Sequence, residues 1–264
     1  MALTLAVAAA YSATGEAWHR GPDRIYDRLA RVLVAASPVS LEGARVLDVG
    51  AGTGAVSRAA LAAGAGAVVA MDAAFGMLAN RAGERPPAAV GDLLALPFAD
   101  DAFDAAVAAF SLNHLTEPAA GLREMARVTR RGGPLLAASY AADDAHPVKP
   151  AVEAALTTRG WEPEPWYLTM RTNATAALAT VEHATAAALG AGLDASAEVT
   201  RVPFPDLGPY DLVAWRLGLA QHAPFVARLS PSERDAVAAE SVRRLGDRPP
   251  PLVRSVLVMR AVSP

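Results

Sequence analysis

A glycine-rich turn set directly after an apolar strand constrains this chain more than any other feature. Val46-Leu47-Asp48-Val49 runs into Gly50-Ala51-Gly52-Thr53-Gly54, and a helix-like stretch follows from Ala55 to Ala63. Strand, tight glycine turn and helix open an α/β unit in which a ligand meets backbone amides at a helix N-terminus. Glycine suits the turn because the chain visits positive φ there and a Cβ would block close approach. Gly50-x-Gly52-x-x-Ala55 also satisfies the dinucleotide fingerprint, so the loop alone does not choose its ligand.

Periodicity extends the α/β pattern on both sides. Strands are predicted at Ala44–Gly50, Ala67–Asp72, Ala88–Gly91, Phe103–Leu112 and Pro134–Tyr140, with helices at Phe75–Ala82 and Pro118–Thr129 between them. Arg130-Arg131-Gly132-Gly133 closes the second helix with basic residues and then glycine. After Tyr140 the pattern loosens. Ala141–Arg171, rich in Pro and aromatics, reads as an irregular or partly helical lid. A helix over Thr175–Leu189 and a strand over Ala197–Phe204 follow. Helices are then predicted over Pro209–Ala223, ended by Pro224, and over Pro231–Leu245, opened by the capping pattern Ser230-Pro231-Ser232-Glu233. Val253–Val262 is the last strand. The expected organisation is a single domain: an N-terminal helical lid (1–43), a core (44–140) and substrate-side caps (141–195 and 205–252).

Three carboxylates lie on or after successive strands, along the edge where such sheets bind ligands. Asp48 sits two residues before the first glycine, where it would repel a pyrophosphate but hold an ammonium. Asp72 ends the second strand, 22 residues after Gly50, where a carboxylate takes ribose hydroxyls. Asp92 follows the third strand and is placed for an adenine amino group. Together they favour an adenosine-plus-amine ligand over NAD.

With those residues in place the chain resembles the class I S-adenosylmethionine (SAM)-dependent methyltransferases, in the branch of ubiquinone/menaquinone-type and antibiotic-pathway enzymes. The resemblance rests on Val46–Gly54, Asp72-Ala73-Ala74-Phe75-Gly76-Met77-Leu78, Gly91-Asp92-Leu93-Leu94-Ala95-Leu96-Pro97-Phe98, Phe103-Asp104 and Glu124–Gly133. It covers roughly residues 44–140. It implies a Rossmann-like, doubly wound seven-stranded sheet whose last strand is antiparallel, with helical cap insertions, and SAM as cofactor. The residues expected around SAM are Asp48, Gly50, Ala51, Gly52, Asp72, Ala73, Met77, Asp92, Leu93 and Ser111. Met77 packs on the adenine in this reading, and Asp92 and Leu93 bind its edge. Ala73-Ala74 departs from the Ser or Thr common after the ribose carboxylate.

Composition narrows the partners. The formal net charge is -3, and Lys149 is the only lysine among 24 basic residues, which gives no basic excess for nucleic acid. The chain has no cysteine, which excludes disulfides and Cys-based metal or thiol chemistry. The apolar start, Met1–Ala10, lacks a charged n-region and reads as a helix on the domain, not a signal peptide. No run reaches the roughly 20 apolar residues of a membrane span. A cytoplasmic protein with a small-molecule substrate is expected, with no metal, no membrane partner and no preference among oligomeric states. Methyl transfer is an in-line displacement governed by alignment, so a dedicated base is optional. Tyr11, His19, His114 and His146 are the weak candidates for proton transfer, with lid and pocket-wall roles as the plain reading for Tyr11 and His114. Trp161, Trp166, Tyr167, Phe204, Trp215 and Phe225 are candidates for an apolar cavity or for core. A SAM-binding cyclase, or a non-catalytic SAM-binding partner, would keep the same loop and carboxylates.

Overall fold

The structure, a computed structural model, describes residues 2–80, 86–174 and 176–264. Seven strands form one sheet: β1 (Arg45–Val49), β2 (Ala67–Asp72), β3 (Ala88–Val90), β4 (Ala105–Ala109), β5 (Pro134–Tyr140), β6 (Ala195–Phe204) and β7 (Leu252–Val262). Their order is β3-β2-β1-β4-β5-β7-β6. The pairs among β1 to β5 are parallel, while β7 runs antiparallel to both β5 and β6. The antiparallel last strand and the Rossmann-like winding are as the sequence leads one to expect.

Helices cover both faces, which is why the central strands are apolar throughout. On one face pack α3 (Pro22–Ala35), α4 (Ala55–Ala62), α7 (Val148–Thr157), α10 (Pro209–Leu217) and α12 (Pro231–Leu245). Leu29, Leu33, Val56, Val152, Leu212 and Val237 from these helices meet Val46, Val107, Leu136 and Val258 of the sheet. On the other face α6 (Pro118–Val128) and α9 (Val181–Gly190) bring Leu122, Met125, Ala184 and Ala188 against Leu47, Ala106, Leu135 and Leu257. Neighbours such as Val46 and Leu47 fall into different clusters, as the period-2 alternation of a strand requires. Above the carboxyl edge of the sheet sit α1 (Ala2–Ser12), α2 (Gly15–Arg20) and the short α5 (Phe75–Ala79).

Several expected boundaries move. The strand expected to run to Leu112 stops at Ala109, because Phe110 takes a left-handed backbone (φ 57) and Leu112–His114 form a 3-10 turn. The lid over 141–171 holds two helices, α7 and α8 (Pro165–Thr169), followed by a π-helical turn at Met170–Ala174. The helix expected over Pro209–Ala223 ends at Leu217, and Pro224 does not terminate it. Pro224 instead sits in the first turn of α11 (Ala223–Arg228), where its missing N–H and fixed φ do no harm. Arg81 and Ala82, at the end of the expected Phe75 helix, and Thr175 lie outside the described residues. The capping box at Ser230 forms as expected: the Ser230 hydroxyl accepts from the Glu233 N–H, and the Glu233 carboxylate accepts from the Ser230 N–H at 2.8 Å.

Leu122 is fully buried under β4, whereas Leu189, on α9, is 77% exposed. Leu122→Ala should therefore cost about 2–5 kcal/mol of unfolding free energy, and Leu189→Ala roughly 0.5 or less. Urea denaturation of both variants checks this reading of the α6 face.

Candidate functional site

An opening lies at the carboxyl ends of β1, β2 and β4 and holds about 1100 Å³ including its mouth. Brought together on its wall are Asp48, Gly50, Ala51, Gly52, Asp72, Ala73, Met77, Asp92, Leu93 and Ser111, ten residues contributed by four strand-end segments and by α5. Tyr11 and His114 also line it, as do Trp18, Tyr26 and Phe110. His19 and His146 do not.

The loop is shaped by contact. Gly50 (φ 71), Gly52 (φ 54) and Gly54 (φ 89) are all left-handed, and a Cβ on Gly50 would sit 2.2 Å from the Cβ of Ser111. Ser111 in turn donates its hydroxyl to the Val49 carbonyl at 2.8 Å, which locks the β4 exit onto the β1 exit. Asp48 is 1% exposed. One of its oxygens, Oδ2, accepts from the Ser57 N–H at 2.8 Å and the Ser57 hydroxyl at 2.6 Å. Its other oxygen, Oδ1, has no hydrogen-bond partner among the described residues. Burial lifts its pKa from 3.8 to about 7, against the two Ser57 bonds, which lower it. Asp72 is held from both sides: Oδ2 accepts from the Gly52 N–H (2.8 Å) and Oδ1 from the Ala74 N–H (2.7 Å). Asp92, exposed at the mouth, caps its own turn by accepting from the Leu94 N–H at 2.9 Å.

The lid is fastened to this loop by residues that local pattern does not reveal. Asp23, buried on α3, accepts from the Thr53 hydroxyl at 2.5 Å through Oδ1 and faces His19 Nδ1 at 3.0 Å through Oδ2. Arg58 reaches from α4 to the Thr53 carbonyl (2.7 Å) and to Asp27 (2.5 Å). The Thr14 hydroxyl points at Met77 Sδ (3.7 Å). Close approach of backbones completes the join: a Cβ on Gly76 would sit 1.9 Å from the Ser12 carbonyl oxygen, and one on Gly15 would sit 2.4 Å from that of Gly76.

Beyond the loop the wall is aromatic. Tyr11 packs on Trp18 (5.7 Å between centroids) and on His114 (5.3 Å), and Tyr26 packs on Trp18 (4.8 Å) and Phe110 (5.4 Å). Burial pushes the Tyr11 and Tyr26 hydroxyls up and His114 down to about 4. All three are therefore neutral near pH 7. His114 Nδ1 faces Met170 Sδ at 2.9 Å, and its Nε2 lies 3.5 Å from the Tyr11 hydroxyl. His146 is turned away from the pocket, with Nε2 donating to the Pro250 carbonyl (2.9 Å) and Nδ1 accepting from the Val148 N–H (3.2 Å). It is a loop brace, not a substrate contact. His19 is about half exposed on α2. Among the described residues no three His, Cys, Asp or Glu side chains group as metal ligands, and no helix is long and apolar enough to cross a membrane.

Residues 47–137 match the family of methyltransferase domains. Over 134 residues the chain is 42% identical to the demethylmenaquinone methyltransferase of Mycolicibacterium gilvum. The matched core, residues 47–137, thus resembles methyltransferase domains in sequence, and the seven-stranded sheet with its antiparallel β7 has the class I methyltransferase fold. The aligned stretch takes in 51% of this chain and 57% of that relative, so the chain spans little more than half the length of the enzyme it matches. Solved structures share the methyltransferase fold at low identity. A protein described as a methyltransferase of an antibiotic biosynthesis pathway in Anabaena variabilis is 15% identical, with a TM-score of 0.60 over 88% of this chain and 96% of that one. The cyclase SpnF is 21% identical, with a TM-score of 0.51 over 92% and 81%.

The folded pKa of Asp48 exceeds its unfolded value, so the protein binds the extra proton when folded. Its contribution to stability is present below pH 4 and is lost as pH rises through about 7. Asp48→Asn keeps an oxygen for Ser57 and places a neutral amide at the unpartnered position. Denaturation midpoints measured from pH 4 to 8 should fall less steeply for the variant than for the parent.

Proposed function

We propose that this methyltransferase domain binds SAM in the glycine-loop pocket and transfers its methyl group to a small, largely apolar metabolite. The observation that carries the reading is Asp48 Oδ1, a buried carboxylate oxygen with no protein partner on the wall of a pocket built from left-handed glycines. An ammonium supplies what that oxygen lacks, whereas a pyrophosphate would meet it with like charge. Asp72, fixed by two backbone amides, keeps lone pairs for ribose hydroxyls. Gly50, Ala51 and Gly52 leave room for close backbone approach, and Ser111 holds the opposing loop. Met77, buried beside Gly52, gives a soft apolar surface for adenine, with Ala73, Asp92 and Leu93 at its edge.

Bound SAM supplies an electrophilic methyl on a sulfonium sulfur. The chain's own residues do the rest by placement. Tyr11, Trp18, Tyr26 and Phe110 enclose the acceptor end with neutral, electron-rich rings, a lining that favours a cation and excludes water. His114, neutral and weakly basic at about 4, forms wall with Tyr11 and is not a standing base. Alignment carries the reaction, as an in-line displacement requires. Residues 1–43, 141–195 and 205–252 serve as the acceptor-side cap, and the cytosolic setting expected from the cysteine-free sequence goes with this reading. The name of the Mycolicibacterium gilvum relative makes a demethylated quinone the first acceptor to try.

Asp72→Ala should weaken SAM binding by about 1–3 kcal/mol through lost hydrogen bonds, read by titration calorimetry. NAD should give no heat with the parent protein; tight NAD binding without a SAM signal overturns the cofactor assignment. Incubation with methyl-labelled SAM and either a demethylated quinol or a metabolite extract tests the reaction itself. Mass spectrometry should show a labelled product heavier than its precursor by one methyl-for-hydrogen exchange. SAM binding with no labelled product from any extract would leave a binder, not an enzyme.

A further inference from the structure

The glycine loop is built almost entirely from residues that cannot hold themselves in place. Between Gly50 and Gly54 the only side chain able to form a hydrogen bond is that of Thr53. The three glycines lose more conformational freedom on being ordered than any other residue would. Backbone bonds fix the two ends. The Gly50 and Ala51 N–H groups donate to the Met71 carbonyl at 2.8 and 2.9 Å, and the Gly54 carbonyl accepts from the Arg58 N–H at 3.0 Å as α4 begins. In the middle, the Gly52 N–H reaches Asp72 at 2.8 Å, and Thr53 supplies the remaining polar ties out of the loop.

Thr53 is 2% exposed and is gripped at two points. Its hydroxyl donates to Asp23 Oδ1 at 2.5 Å. Its carbonyl accepts from Arg58 Nη1 at 2.7 Å, and Nη2 of the same guanidinium donates to Asp27 at 2.5 Å. Asp23 and Asp27 are four residues apart, so α3 turns both carboxylates to one side. The two grips are unequal. Arg58 and Asp27 are 26% and 30% exposed, so water competes for that bridge. Asp23 is buried, and its second oxygen is met by His19 Nδ1 at 3.0 Å. Removing the Thr53 hydroxyl would strand a buried charged oxygen, which makes this charge-assisted bond costly to break.

Asp23 does not line the pocket, whereas Thr53 does, so whatever Asp23 contributes to a ligand passes through Thr53. The helix that carries it precedes the matched segment 47–137, while the loop it holds lies inside that segment. Arg24, the next residue on α3, serves a different neighbour. It pairs with Asp206 (2.8 Å) and Asp211 (3.2 Å) and ties the helix to the cap.

We propose that Asp23 is a positioning residue for the ligand of the glycine loop: it fixes Thr53 and so holds the loop in its binding shape before SAM arrives. This rests on the reading of SAM as that ligand. Ordering the loop beforehand removes the ordering cost from the binding step.

The test compares full-length variants by SAM titration calorimetry and by amide hydrogen exchange of the ligand-free protein. Asp23→Ala and Thr53→Val should each weaken SAM binding about tenfold, the order of a lost charge-assisted bond. Both should speed exchange at Gly52–Gly54 while leaving α6 and β5 as protected as in the parent. The double variant should lose no more than either single one, because the two changes remove the same bond. Asp23→Asn keeps an acceptor and Thr53→Ser keeps the donor, so each should recover most of the affinity. Arg24→Gln should bind SAM as the parent does. Equal losses for Arg24→Gln and Asp23→Ala would overturn the proposal, as would additive losses in the double variant or unchanged loop exchange in Asp23→Ala. Should Asp23→Ala fail to fold, Thr53→Val and Thr53→Ser make the same comparison from the loop side. A parent that gives no SAM signal overturns the cofactor reading instead, and loop exchange in the variants then decides alone whether Asp23 holds the loop.

Discussion

The site depends on one topological fact: β1 is flanked by β2 on one side and β4 on the other, so the chain leaves the sheet in opposite directions from its centre. Loops that diverge leave a crevice, and Asp48, Gly50, Asp72 and Ser111 hang from its rim. The crevice is narrow at its base, where Gly50 and Ser111 touch too closely for any Cβ on Gly50. It widens above because Phe110 is turned by a left-handed backbone, an uncommon state for a bulky residue, and so sends its ring into the acceptor wall. Phe110 still donates its N–H to the Ala138 carbonyl at 2.8 Å, so the sheet holds the strained residue in place.

Burial then sorts the ionisable groups by whether they can shed charge. Asp48 is lifted to about 7, and His114 and His222 are lowered to about 4 and 3. Tyr11, Tyr26 and Tyr140 are pushed up. Each moves toward its neutral form, as desolvation dictates. The guanidinium of Arg216 cannot follow. It keeps its charge beside Glu153, as Arg254 does beside Asp144, so both buried guanidiniums stand in ion pairs.

Much of the cofactor half was legible because its residues are local. β2 and β5 were read to the residue, since Gly64 and Gly66 precede one and Gly132-Gly133 the other. Strand ends put Asp48, Asp72 and Asp92 on one edge without any need to know the three-dimensional path. β4 was read too long because apolar composition continues through Phe110, and nothing in composition marks a positive φ on phenylalanine. The acceptor half was not legible for a different reason. Tyr26, Tyr140, Arg216 and Arg254 are far apart in sequence and meet only through the packing of α3 and α10 against β5 and β7. Arg216 is flanked by Trp215 and Leu217, and its charge gives no sign of burial. Nothing short of the fold shows it buried. His146, attractive beside aromatic residues, turned out to brace a loop, because proximity in sequence said nothing about direction.

The division between the halves follows the comparisons as well. The family match ends at residue 137, before Tyr140, and Glu153, Arg216, His222 and Arg254 all lie beyond it. The family match thus takes in the glycine loop and its carboxylates together with Phe110 of the wall. The two halves are nevertheless mechanically joined. Asp23 stands on α3, the helix that also carries Tyr26 to the acceptor wall, and it binds Thr53 of the glycine loop. That bond ties the glycine loop to the helix whose Tyr26 packs on Trp18 and Phe110. The glycine loop and the aromatic wall thus share one helix, α3, which holds Thr53 through Asp23 and carries Tyr26.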